Sequence, residues 1–206
     1  MNDNGTWLTP EDRKNYAKYF SIDSCITEEE AASLAGFAKT KVPSATNEES
    51  ESSQAVELYN RPDSWDDSGV INKLQNIFRD SLKEHFFLTG ILEPRKFILL
   101  RSDELQSYKE EYEEFTDNGE VSYTAFMTLN TEFRGGHNDY YVGGEGFIST
   151  PGNLHIHRNE RGNSWLIKDV NVGTRFDVIL VVIERPVTAR YDEFEIEMSV
   201  DDGRPY

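Results

Sequence analysis

The feature that most constrains this chain is a change of pattern at residue 96. From Lys96 onward the sequence breaks into short runs rich in β-branched and aromatic residues, KFILLR, SYTAFMTLN, EGFIST, NLHIH, SWLIKDV, RFDVILVVIE and EFEIEMSV, separated by Gly, Asn and Asp turns. Such runs form strands, because branched and aromatic side chains fit a pleated surface and the residues between them accept turn geometry. Before residue 96 the apolar residues recur at helical spacing. Over Ser24 to Lys39, Thr27 stands as N-cap, and Glu28, Glu29 and Glu30 occupy the first turn, where they complement the helix dipole; Leu34, Phe37 and Ala38 face inward. Over Val70 to Phe87, the residues Val70, Leu74, Ile77, Phe78, Leu82 and Phe86 make one apolar stripe, with Asp67 or Ser68 as its cap. A stripe of this kind packs a helix on a core. Helices first and sheet second predict a mainly β, α+β fold: a jelly-roll-like double sheet with N-terminal helices against one face.

The 206 residues suffice for one buried core, so the expectation is a single domain, with a helical support region at 1–95 and a β core at 96–206. The Ser/Glu-rich stretch at 44–54 reads as a surface loop too short to separate domains. Thirty-eight acidic against 21 basic residues give a formal charge of −17. That field repels phosphate backbones and anionic lipid, which argues against nucleic acid and membrane and leaves a protein or small-molecule ligand as the partner class. Cys25 is the only cysteine and has no mate for an internal disulfide. The N-terminal MNDNGTWLTPED lacks the basic-then-apolar layout of a secretory leader, and the longest apolar run, Phe176 to Ile183, is strand-sized and interrupted by Asp177. The expected location is the cytoplasm. No phosphate-loop, nucleophile-elbow or paired-cysteine motif is present, and Gly143, Gly144 and Gly146 lie between two strands, where a hairpin turn accounts for them.

Several motifs in order carry a resemblance. Thr124-Ala-Phe-Met-Thr-Leu-Asn130, followed by Phe133 and Gly135-Gly136, is similar to the T-x-x-x-Y-L-N…F-x-G-G signature of the prolyl-4-hydroxylase-like 2-oxoglutarate/Fe(II) oxygenases, with Thr128 where that family usually has Tyr. Pro151-Gly152-Asn-Leu154 resembles its P-x-x-G-x-L strand, and Val170-Asn-Val-Gly173-Thr-Arg175-Phe176 its V-x-x-G-x-R-Y segment. The resemblance covers nearly the whole chain. It implies a double-stranded β-helix core, with Fe(II) held by two His and one carboxylate and 2-oxoglutarate held by Arg175, whose planar fork pairs bidentately with a carboxylate. Thr128 adds a hydroxyl donor to the same cofactor position.

The residues at the implied iron positions are of the wrong kind. Alignment places Lys109 at the first His, Glu111 at the Asp, and Trp165, ten residues before Arg175, at the distal His. An ammonium offers no lone pair and an indole does not ligate iron, so no metal is expected there. A second grouping is His137, Asp139, His155 and His157, since His137-Asn-Asp139 is formally an H-x-D and His155 and His157 share one face of a strand. These histidines act either as a relocated metal site or as satisfied structural residues. Arg175 likewise either takes a dicarboxylate or pairs with a nearby Asp or Glu. The expectation is a degenerate 2-oxoglutarate/Fe(II) oxygenase-like protein, a pseudoenzyme or binding protein that keeps the anion-binding arginine. The rival is an active 2-oxoglutarate-dependent hydroxylase of a protein or small molecule with a non-standard metal site. A third class, a metal-free isomerase or cyclase, would use Lys109 and Glu111 as base and acid in a dry pocket.

Overall fold

A computed structural model describes residues 19–44, 53–58, 69–111, 121–140, 149–159 and 164–185. The first helix, α1 (Glu28–Lys41), starts where its capping residues stand. Glu30 N donates to Thr27 Oγ1 at 3.1 Å and Thr27 N donates to the Glu30 carboxylate at 2.8 Å, which satisfies two otherwise orphan donors. The helix buries Ala31, Leu34 and Ala38, while Phe37 is half-buried. The second helix, α2 (Val70–Phe86), buries Val70, Ile71, Leu74, Phe78, Leu82 and Phe86. Each large apolar side chain so buried contributes about 1.5–3 kcal/mol, so packing rather than propensity holds this helix. Its N-cap position is Gly69, at φ 74°; the expected caps Asp67 and Ser68 lie outside the described residues.

The strands are β1 (Tyr19–Ile22), β2 (Gln54–Glu57), β3 (Ile91–Ser102), β4 (Tyr108–Glu111), β5 (Val121–Thr128), β6 (Phe133–Gly135), β7 (Asn138–Tyr140), β8 (Leu154–Arg158), β9 (Ser164–Ile167), β10 (Val170–Gly173) and β11 (Arg175–Arg185). Six form a large antiparallel sheet in the order β1-β8-β5-β11-β3-β2, three form a small sheet β4-β9-β7, and β10 pairs with β6. Side chains alternate across a strand, and the large sheet uses both faces. Phe176, Val178, Leu180 and Val182 join Leu34, Leu74 and Phe78 in the core under the helices. The opposite face carries Ile98, Leu100, Phe126, Ile179 and Val181, which pack with Ile167 of β9 and Tyr108 of β4. Two facing antiparallel sheets with helices on the outer side of the larger make a double-stranded β-helix.

The helical and β regions are less separate than residue 95 suggests. β3 begins at Ile91, and β1 and β2, both from the N-terminal region, are the outer strands of the large sheet. The run SWLIKDV splits at Lys168-Asp169 into β9 and β10, and EFEIEMSV at 193–200, with most of EGFIST and of the 44–54 loop, lies outside the described residues. The β3–β11 register slips between Val181 and Val182, opposite Lys96 and Pro94. Proline has no N–H to give the ladder, so the bulge falls beside it. No helix among the described residues is long and apolar enough to cross a membrane.

Candidate functional site

The site is built on β11, whose alternation sends Arg175 and Asp177 to the face between the sheets. Arg175 pairs with Ser102 and Asp177 with Thr128 in register. Arg175 is 1% exposed and Asp177 0%, so a full cation and a full anion stand in the interior, where charges are tolerated only when paired and hydrogen-bonded. The pair meets that condition. Arg175 Nε donates to Asp177 Oδ2 at 2.8 Å and Nη2 to Oδ1 at 2.7 Å, the two-pronged geometry a carboxylate offers a guanidinium. Thr128 Oγ1 donates to Asp177 Oδ1 at 2.8 Å.

The remaining guanidinium donors go to the small-sheet side. Nη2 reaches Asn138 Oδ1 at 2.7 Å, Nη1 donates to the Gly136 carbonyl oxygen, and the guanidinium carbon lies 5.5 Å from the centroid of the Phe133 ring. The Gly135-Gly136 pair explains why its signature is needed. Both residues have positive φ, 78° and 64°, and a Cβ on Gly135 would lie 2.7 Å from the Asp169 carbonyl oxygen. The turn therefore brings the Gly136 carbonyl to Arg175 only with glycine in place.

The histidines separate. His155 and His157, on β8, face the interior beside β5, where His155 pairs with Phe126 and His157 with Thr124. His155 stacks on Phe126 with centroids 5.1 Å apart, and its Nδ1 lies 2.8 Å from Ser21 Oγ on β1. Burial pushes its pKa down to about 4, and burial alone pushes that of His157 down to about 3, so both rings are neutral near pH 7. His137 is exposed, and Asp139 forms an ion pair of 2.8 Å with the half-exposed Lys168. Asn138 between them is the residue that points inward. His137 and Asp139 are thus on the outer face of the small sheet, and His155 and His157 on the inner face of the large one. The four do not converge, and among the described residues no three His, Cys, Asp or Glu side chains gather as metal ligands.

Lys109 on β4 is exposed, while Tyr108 beside it packs on the inner cluster. Glu111 pairs with Ser164, and Trp165 with Glu110 and Tyr140, as strand positions only; their side chains lie outside the described residues. The fork of Arg175 is filled by Asp177. Asp177 and Asn138 are the neighbours of Arg175 that motif matching missed. The signal for Asp177 was present as the spacing Arg-x-Asp on one strand, which puts both charges on one face.

No protein-family model matches the chain, and no curated protein matches it in sequence. Solved structures do. The viral collagen prolyl hydroxylase of Paramecium bursaria Chlorella virus-1, in its 2-oxoglutarate complex, is similar with a TM-score of 0.66 and 14% identity, over 83% of this chain and 98% of that one. A Pseudomonas putida prolyl-4-hydroxylase gives 0.63 and 12%, over 85% and 96%. An oxidoreductase of the 2OG-Fe(II) oxygenase family from Burkholderia pseudomallei gives 0.59 and 13%, over 88% and 94%. The class the fold defines is therefore the double-stranded β-helix, the fold that this chain shares with these oxygenases. The likeness covers nearly the whole length of the two prolyl hydroxylases, at an identity that speaks for the fold alone.

Proposed function

We propose that this chain is a single degenerate 2-oxoglutarate/Fe(II) oxygenase-like domain of the cytoplasm, a pseudoenzyme that binds a protein or small-molecule partner. The observation that carries the reading is the occupation of Arg175. The residue matched to the cosubstrate's carboxylate is already bidentate with Asp177 and bonded to Thr128. A buried guanidinium neutralised inside the chain has no charge left to attract a dicarboxylate. Supporting it, Lys109 is exposed, and Asp139 is engaged by Lys168 rather than turned toward the two buried histidines. The net charge of −17 favours a basic partner surface.

The experiment is anaerobic calorimetry of the protein with Mn(II), a redox-stable substitute for Fe(II), with and without 2-oxoglutarate. The expected result is no saturable binding of either. One-to-one metal binding that tightens with 2-oxoglutarate overturns the proposal in favour of an active oxygenase.

A further inference from the structure

The large sheet ends, on the β8 side, at β1. Among the described residues β1 pairs along one edge only, with β8, so its other edge turns backbone N–H and C=O groups outward. Such edges are usually blunted by charge, proline or a bulge, because they invite a further strand. β1, Tyr-Phe-Ser-Ile, carries neither charge nor proline, and its register with β8 runs unbroken from Tyr19–His157 to Ile22–Leu154. Phe20 and Ile22 turn to the helix side of the sheet, and beside them lies an open groove of about 470 Å³. Ser81, Glu84 and His85 of α2, with Phe87 just after it, complete the lining. Glu84 is exposed and has no cationic partner among the described residues. The half-buried rings of Phe20 and Phe87 give the groove an aromatic wall, and a ring face attracts an ammonium or guanidinium. Phe20 is fixed by stacking on His85, with centroids 3.9 Å apart. Phe87 ends α2 at φ 53°, in the left-handed region where a helix terminus ordinarily has glycine, so a strained backbone is kept while an aromatic ring lines the groove.

We infer that the open edge of β1 takes an extended segment of a partner protein as a further strand, with a lysine or arginine of that segment seated in the groove beside Glu84. A strand added there lies about 4.8 Å beyond β1 and sends every second side chain to the helix side, into the groove. Main-chain bonds to β1 then hold the segment, and the aromatic and acidic lining selects its side chain. The net charge of −17 favours the same partner, a basic one, and speeds its approach. The inference rests on the reading of the chain as a binder of a protein partner, and names the surface and the kind of segment that docks on it.

The test is fluorescence anisotropy of the full native chain with three labelled, capped peptides: Thr-Lys-Thr-Lys-Thr-Lys-Thr, the same sequence with Glu for Lys, and the Lys peptide N-methylated along its backbone. Saturable binding of the Lys peptide is expected, with a dissociation constant below about 1 mM and at least about tenfold below that of the Glu peptide. The N-methylated peptide, which cannot pair with a strand edge, should show no saturable binding. Glu84→Gln should weaken the Lys peptide by about fivefold, the worth of one favourable surface charge pair, with thermal unfolding unchanged because the residue is exposed. A Lys peptide that merely answers the net charge binds equally well when N-methylated and equally well to Glu84→Gln; either result overturns the inference, as does no binding or equal binding of the Glu peptide. A chain that sediments as a dimer and binds none of the peptides overturns it in favour of a second copy at this edge. The metal titration proposed earlier reads the space between the sheets and this one the helix side, so the two readings fail separately.

Discussion

Replacing Arg175 by Met is the sharpest perturbation of this fold. Asp177, 0% exposed, would keep the Thr128 hydroxyl as its one remaining side-chain donor. Removing one member of a buried pair costs about 3–5 kcal/mol, because the other charge stays in the interior. Asn138 Oδ1 and the Gly136 carbonyl lose their donor as well, at about 1 kcal/mol or more in total. The expected loss is then about 4–6 kcal/mol, or roughly 10–20 °C in Tm for a chain of this length. Replacing both partners, Arg175→Met with Asp177→Leu, leaves no buried charge and should cost under about 2 kcal/mol, the remainder coming from Thr128, Asn138 and Gly136. Urea unfolding of the four proteins at neutral pH, followed by far-UV circular dichroism, gives the double-mutant cycle. A coupling of at least about 3 kcal/mol is expected. The reasoning is refuted if Arg175→Met costs less than about 1 kcal/mol, or if the double variant loses the sum of the two single changes.

Two further outcomes follow from the geometry. Burial lowers the pKa of His155 to about 4 and of His157 to about 3, so between pH ~6.5 and ~4 the unfolded chain binds protons that the folded chain does not, and stability rises with pH by about 1.4 kcal/mol per unit for each ring. Urea midpoints from pH 7 down to 4.5 should show that slope and His157→Leu should roughly halve it; imidazole signals titrating near the ordinary value in NMR would contradict it. Gly173→Ala places a methyl against the Glu132 carbonyl oxygen at a residue with φ 87°, so a loss of about 2 kcal/mol or more is expected in the same urea assay, and an unchanged midpoint would show that the turn relaxes.

What the sequence made legible was local. The Thr27–Glu30 capping box and the apolar stripe of α2 involve residues within a few positions of one another, and both appear where expected. The runs KFILLR, SYTAFMTLN, NLHIH, SWLIKDV and RFDVILVVIE fall on strands for the same reason, whereas β1, β2, β4, β6 and β7, three or four residues each, carry too little pattern to stand out. Register was not readable. Shifting a strand by one residue exchanges its faces, and the alternation that leaves Lys109 exposed while Tyr108 packs on the inner cluster is set by pairing across the sheet rather than by the local sequence. Nearness in sequence could not choose between the two readings of His137, Asp139, His155 and His157, because it does not show that β7 and β8 belong to different sheets. Arg175 drew notice as a motif residue, but its partner was hidden in plain view: Asp177 read as an interruption of an apolar run until the run proved to be covered on both faces.

β11 lies in the middle of the large sheet and is hydrogen-bonded along both edges, to β3 and to β5. A strand so placed opens last, and its amides exchange with solvent only when the domain as a whole comes apart. An ordinary ligand has an off-rate of its own, set by how tightly it is held. Asp177 cannot diffuse away: its own strand holds its carboxylate beside Arg175 for as long as the domain is folded, whatever the concentration of any metabolite.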